Sequence, residues 1–90
     1  MYYVYEIQNK EEPFKCYVGV TLSIKKQMSR LFGRQCRTGS TEFRNDIHRL
    51  GIKGFQIRII ECTKEPNKSF YRWIKLLKPY YNRSSEGGMF

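Results

Sequence analysis

Apolar and polar positions change period along this chain, first near two, then near 3.6, and those switches mark out its elements. Tyr2 to Ile7 is rich in aromatic and branched residues with weak alternation, which predicts a strand. Asn9 to Pro13 is charged and turn-prone, and Phe14 to Val20 returns as a second strand, so the two form a hairpin. Thr21 or Ser23 can cap a helix running to about Phe32, with Ile24, Met28, Leu31 and Phe32 on one side. Lys25, Lys26, Gln27 and Arg30 are left for the other side. Gly33 to Ser40 holds two glycines with Arg34 and Arg37 and reads as a basic loop. Thr41 is the expected cap of a second helix, where Phe43, Ile47 and Leu50 recur at i, i+4 and i+7 before Gly51 ends it. Arg44, His48 and Arg49 fall on its outward face. Phe55 to Cys62 alternates as a third strand, with Phe55, Ile57 and Ile59 inward and Gln56 and Arg58 outward. Asn67 opens a third helix with Phe70, Trp73, Ile74 and Leu77 as its apolar stripe, stopped at Lys78-Pro79.

The order β-β-α-α-β-α describes a small α+β fold: a three-stranded antiparallel sheet with about three helices. Ninety residues suffice for one domain, assigned to 1–83, with 84–90 expected to fray. No run approaches the roughly 18 apolar residues of a membrane helix. The N-terminus lacks the basic-then-apolar layout of a signal peptide, so a cytoplasmic protein is expected. Cys16, Cys36 and Cys62 are widely spaced and include no CxxC pair; together with His48 they do not match a zinc site. Reduced thiols, no metal and no cofactor are the reading.

Charge narrows the function. The net charge is +9, and it is uneven. Between Lys25 and Arg58 stand nine bases (Lys25, Lys26, Arg30, Arg34, Arg37, Arg44, Arg49, Lys53, Arg58) against two acids, Glu42 and Asp46, a net +7. Charge gathered on one third of a small domain marks a polyanion-binding face, with a solvated surface as the plain alternative.

Two aromatic motifs, Tyr3-Val4-Tyr5 and Tyr17-Val18-Gly19, precede the first helix, and Asn82 follows the third. With the Gly51 to Phe55 corner and the Phe55 to Glu61 strand, they make the chain resemble the GIY-YIG nuclease domain over nearly its whole length. Tyr3 stands where the first motif carries glycine. The resemblance implies that Tyr5 and Tyr17 belong to the site, one tyrosine serving proton transfer from the attacking water. It further implies an arginine on the first helix to stabilise phosphate charge and a glutamate on the last helix to bind Mg²⁺ or Mn²⁺.

This chain departs from the pattern at both charged positions. Eight residues after Gly19 stands Gln27, a neutral amide that offers no guanidinium fork. Arg30 lies one helical turn further on, where it can swing toward the same side. Leu31, near a polar family position, is apolar. Three residues before Trp73 stands Phe70, and its neighbours Lys68, Ser69, Tyr71 and Arg72 are not carboxylates. Glu61 and Glu65 have no evident route to the site. Without those groups, core packing becomes the better account of Tyr5 and Tyr17, and His48 reads as a surface residue.

The expectation is a nuclease-derived, non-catalytic protein that binds DNA or RNA through the nine bases, with Tyr5, Tyr17 and Asn82 as vestiges. Exposed tyrosines among Tyr2, Tyr71, Tyr80 and Tyr81 would stack on unpaired bases. It would sequester or shield nucleic acid, or antagonise another nuclease through a nucleic-acid-bridged complex. Two alternatives remain: an active divergent endonuclease using Arg30 with Mg²⁺ or Mn²⁺, and a basic module docking on an acidic protein.

Overall fold

Asn9 closes the first turn of the chain. Its side-chain oxygen accepts from the N–H groups of Glu11 (2.8 Å) and Glu12 (3.0 Å), fixing the reversal that joins the first two strands. The computed structural model describes residues 1–33 and 40–82. It contains β1 (Tyr2–Asn9), β2 (Cys16–Thr21), α1 (Ile24–Leu31), α2 (Thr41–Leu50), β3 (Phe55–Thr63) and α3 (Pro66–Leu77), with short 3-10 turns at Ile52–Gly54 and Tyr80–Asn82. The order is β-β-α-α-β-α, and the sheet is antiparallel with strand order β2-β1-β3. β2 begins at Cys16 rather than Phe14 because Lys15 is consumed by the turn: its N–H donates to Glu12 and its carbonyl accepts from Asn9.

Strand alternation divides the core in two. Tyr5, Ile7 and Tyr17 face α1 and α2, where Leu31, Phe43, Ile47, Phe55 and Tyr81 complete one buried cluster. Val4, Val18 and Val20 face α3, packing with Phe70 and with the partly buried Trp73, Ile74 and Leu77. Helices therefore cover both faces of the sheet.

Helix starts follow local chemistry. Ser23 caps α1 by accepting the Lys26 N–H, while Thr21 accepts the Ser23 N–H instead. Ser40, not Thr41, caps α2 by accepting from Phe43. Pro66 opens α3 one residue before Asn67, its missing N–H costing nothing at the first helical position. Gly51 ends α2 at φ 69°, ψ −179°, a backbone conformation open essentially to glycine alone.

One strand assignment is corrected. Ile59 is 51% exposed rather than inward. The β1–β3 register shifts between Val4 and Tyr5, so that Tyr5 faces Ile59, Val4 faces Glu61, and Ile60 is the extra residue of a bulge. Ile60 packs on the α3 side, and Ile59 is left on an edge strand outside the cluster under α1 and α2. The bulge also carries Glu61 to the α3 side.

The last turn wraps the edge of β2. The Asn82 side chain donates to the Val18 carbonyl (2.9 Å) and accepts the Val18 N–H (2.8 Å), pairing a strand edge that has no neighbouring strand among the described residues. Tyr81 thereby enters the first cluster, where its hydroxyl donates to Asp46 (2.6 Å) and accepts from Asn9 (3.0 Å). Three distant segments are tied at one buried oxygen. Among the described residues, no helix is long and apolar enough to cross a membrane.

Candidate nucleic-acid interface

α1 leaves the sheet through the Thr21–Ser23 corner, and its spacing decides what each polar residue does. Ile24, Met28 and Leu31 turn to the core, which leaves Lys25, Lys26 and Arg30 exposed. Gln27 does not join them. It is 5% exposed, and its amide nitrogen donates to the Tyr5 hydroxyl at 3.0 Å. Its amide oxygen accepts a long bond from Arg30 Nη1 at 3.5 Å. Gln27 is thus a buried connector between β1 and the surface, and Arg30 stands at its outer end. A groove of about 370 Å³ opens here between Tyr2, the Thr21–Ser23 corner, Lys26, Gln27 and Arg30.

A second groove, about 430 Å³, lies between α1 and α2. Met28, Phe32, Ile47 and Ile52 give it apolar walls, and Lys25 stands on its rim. Lys53, beside Ile52, is exposed. Lys25, Lys26, Arg30 and Lys53 make no ion pair among the described residues, so this side of the molecule presents net positive charge.

The other predicted bases are not equivalent to these. Arg49 is paired with Asp46 (3.4 Å) and with Glu11 (3.7 Å). Arg58 binds Glu6 at 2.6 Å across β1 and β3, where the two are register partners. Arg44 is half-buried along its own helix, donating to Thr41 Oγ1 at 3.3 Å, with its Nε buried and unpaired among the described residues. Arg34 and Arg37 lie outside the described residues. The frayed tail expected at 84–90 does as well.

Both motif tyrosines are fully buried. Tyr17 stacks on Phe43 with ring centroids 4.5 Å apart, and Tyr5 lies 6.3 Å from Tyr17. Gly19 is the register partner of Tyr5, and a Cβ there would come within 2.5 Å of Tyr5 Cζ. The glycine is a slot for the tyrosine ring. Of the candidate stacking residues, Tyr71 is 57% exposed while Tyr81 is buried. Tyr2 and Tyr80 are half-buried, Tyr80 donating to Glu42 at 2.8 Å.

Phe70 is 8% exposed and fills the second cluster. The carboxylate that reaches α3 is Glu61, bound by Arg72, by Trp73 Nε1 (2.7 Å) and by Ser69 Oγ (3.3 Å). Arg72 beside it, aided by the Trp73 N–H, holds that carboxyl below the usual range despite some desolvation. An aromatic ring at the implied glutamate position and a carboxylate already saturated by donors do not fit a divalent ion. No cluster of three or more His, Cys, Asp or Glu side chains occurs among the described residues.

One set of bases escaped the segment count. Lys64, Lys68, Lys75 and Lys78 are exposed on or beside α3, and their spacing of four, seven and three residues, close to whole helical turns, was the available signal. No family model, curated protein or solved structure matches the chain.

Proposed function

We propose that this chain is a non-catalytic, nuclease-derived module that binds DNA or RNA through the α1 side and acts by occupying it. The observation that carries the proposal is the state of α1. At the position where the GIY-YIG resemblance implies a phosphate-directed arginine, Gln27 is buried and committed to Tyr5. Lys25, Lys26 and Arg30 meanwhile stand exposed around two grooves. Such a surface attracts phosphates by counterion release and lacks a charged group aimed inward at a reacting one. In this reading the protein shields nucleic acid or blocks another nuclease that shares its substrate.

The test is binding of single-stranded RNA, single-stranded DNA and duplex DNA at low salt, with a cleavage assay in Mg²⁺ and Mn²⁺. Replacing Lys25, Lys26 and Arg30 together with Gln should weaken binding more than about tenfold without lowering thermal stability. Cleavage abolished by Tyr17→Phe would overturn the proposal in favour of an active nuclease. Unchanged binding by the triple variant would remove α1 as the interface. A pulled-down protein complex that survives complete nuclease digestion would point instead to an acidic protein partner.

A further inference from the structure

We infer that the outer face of α3 is a second nucleic-acid contact, for single strands, so that one molecule bridges two strands. The inference rests on the α1 proposal above and adds a second, separate surface.

α3 turns Phe70, Trp73, Ile74 and Leu77 to the sheet, and its opposite side is exposed among the described residues. That side carries Lys68, Tyr71, Arg72 and Lys75, all exposed. Pro66 to Lys78 contains no acid. The nearby carboxylates belong to Glu61, already bound by Arg72, Trp73 and Ser69, and to Glu65 at the helix start. Lys68 and Lys75 sit three before and four after Tyr71, the spacings that place side chains on one helix face. The Tyr71 ring is braced edge-on by Phe70, centroids 5.5 Å apart. It remains 57% exposed. A braced, exposed ring between two cations matches what an unpaired base and its flanking phosphates need: a flat surface to stack on and positive charge on either side. A duplex hides its base faces, so the ring favours single strands.

The topology makes this contact separate from the first. Tyr5 and Tyr17 point toward α1 and α2, whereas Val4, Val18 and Val20 point toward α3. The outward sides of α1 and α3 therefore face away from each other, with the sheet between them. A short strand seated on one does not reach the other, so two strands are held.

The experiment uses the whole chain, a short single strand immobilised on beads and a second, fluorescent strand of the same unstructured sequence. Protein should carry the fluorescent strand onto the beads, with capture falling again at large protein excess as each strand finds its own molecule. The variant combining Lys68→Gln, Tyr71→Ala and Lys75→Gln should bind one strand within about twofold of the parent yet lose capture. Tyr71→Phe, which keeps the ring, should retain it. Capture by the triple variant equal to the parent's, or one strand per protein with no capture by the parent, overturns the inference while leaving the α1 proposal standing. No strand binding at all by the parent sinks both.

Discussion

Gly19 and Tyr5 show how a short motif is a packing instruction before it is anything else. The tyrosine ring crosses the glycine on the neighbouring strand, so a methyl group has nowhere to go. Gly19→Ala should cost about 1–3 kcal/mol in urea unfolding, the usual range for overpacking a tight core. Tyr81 carries a different load. Burial, reinforced by the Asp46 carboxylate and opposed by the Asn9 bond, raises its hydroxyl above the ordinary tyrosine range. A group whose folded value is raised contributes stability in full below its unfolded value and loses it as pH climbs toward the folded one. The protein should thus lose stability above about pH 10. Tyr81→Phe should flatten that loss while costing about 1–3 kcal/mol at neutral pH, because the buried Asp46 loses the tyrosine donor on its Oδ2 and keeps only Arg49 on its Oδ1. Equilibrium unfolding of both proteins across pH measures both effects. The same physics governs attempts to install a cutting site. Gln27→Arg combined with Phe70→Glu should not yield cleavage, and should lower stability by more than about 3 kcal/mol. The glutamate would enter an apolar cluster and the arginine a space filled by an amide bonded to Tyr5.

Among the elements, α3 carries the clearest conformational tension. Lys78, the residue that caps its C-terminus, has φ 46° and ψ 57°, left-handed backbone that a lysine adopts only at a cost. Its N–H makes the ordinary helical bond to the Ile74 carbonyl at 2.9 Å, and the left-handed backbone then turns the chain out of the helix toward the segment from which Asn82 reaches β2. Lys78→Gly should stabilise the fold by about 0.5 kcal/mol, relieved strain exceeding the added flexibility of the unfolded chain. A thermal or urea melt reads the sign directly. The bulge in β3 belongs to the same scale. Alternation alone assigns Ile59 inward, and one inserted residue moves the apolar contact to Ile60 and delivers Glu61 to α3. Strand composition does not encode where a ladder slips, because that depends on which neighbour each residue meets. Helix starts were readable to within a residue, since a serine that can bond a free N–H is visible in sequence. That Ser23 rather than Thr21, and Ser40 rather than Thr41, does so depends on the path of the chain before it.

For the molecule as a whole, the distribution of charge matters more than its total. Of the seven described bases in the Lys25–Arg58 segment, Arg49 and Arg58 are neutralised by acids from other elements. Lys25, Lys26, Arg30 and Lys53 are left exposed and unpaired by acids among the described residues. If those four engage phosphates, the slope of log affinity against log salt should be about −2.8 to −3.6. That is shallower than counting all nine bases would give, and a titration of salt against affinity reads it. A slope steeper than that range would mean that α3, Arg34 or Arg37 takes part in the same contact.

Element order, the sheet and the core of each helix follow from the chain alone, because periodicity reports which side of a segment avoids water. Gln27 and Phe70 were likewise visible as departures from the charged pattern the resemblance implies. Pairing was not visible. Asn82 reads as a vestige of the family's site, and the fold uses it as the clasp on the edge of β2; Tyr81 reads as a candidate stacking ring and proves to be buried, bonded to Asp46. Residues 35 and 64 positions apart meet there. Sequence spacing carries information only across a few turns of helix or strand, so these contacts were decided by the path of the folded chain. The same path determined which bases found acids and which remain exposed to a phosphate.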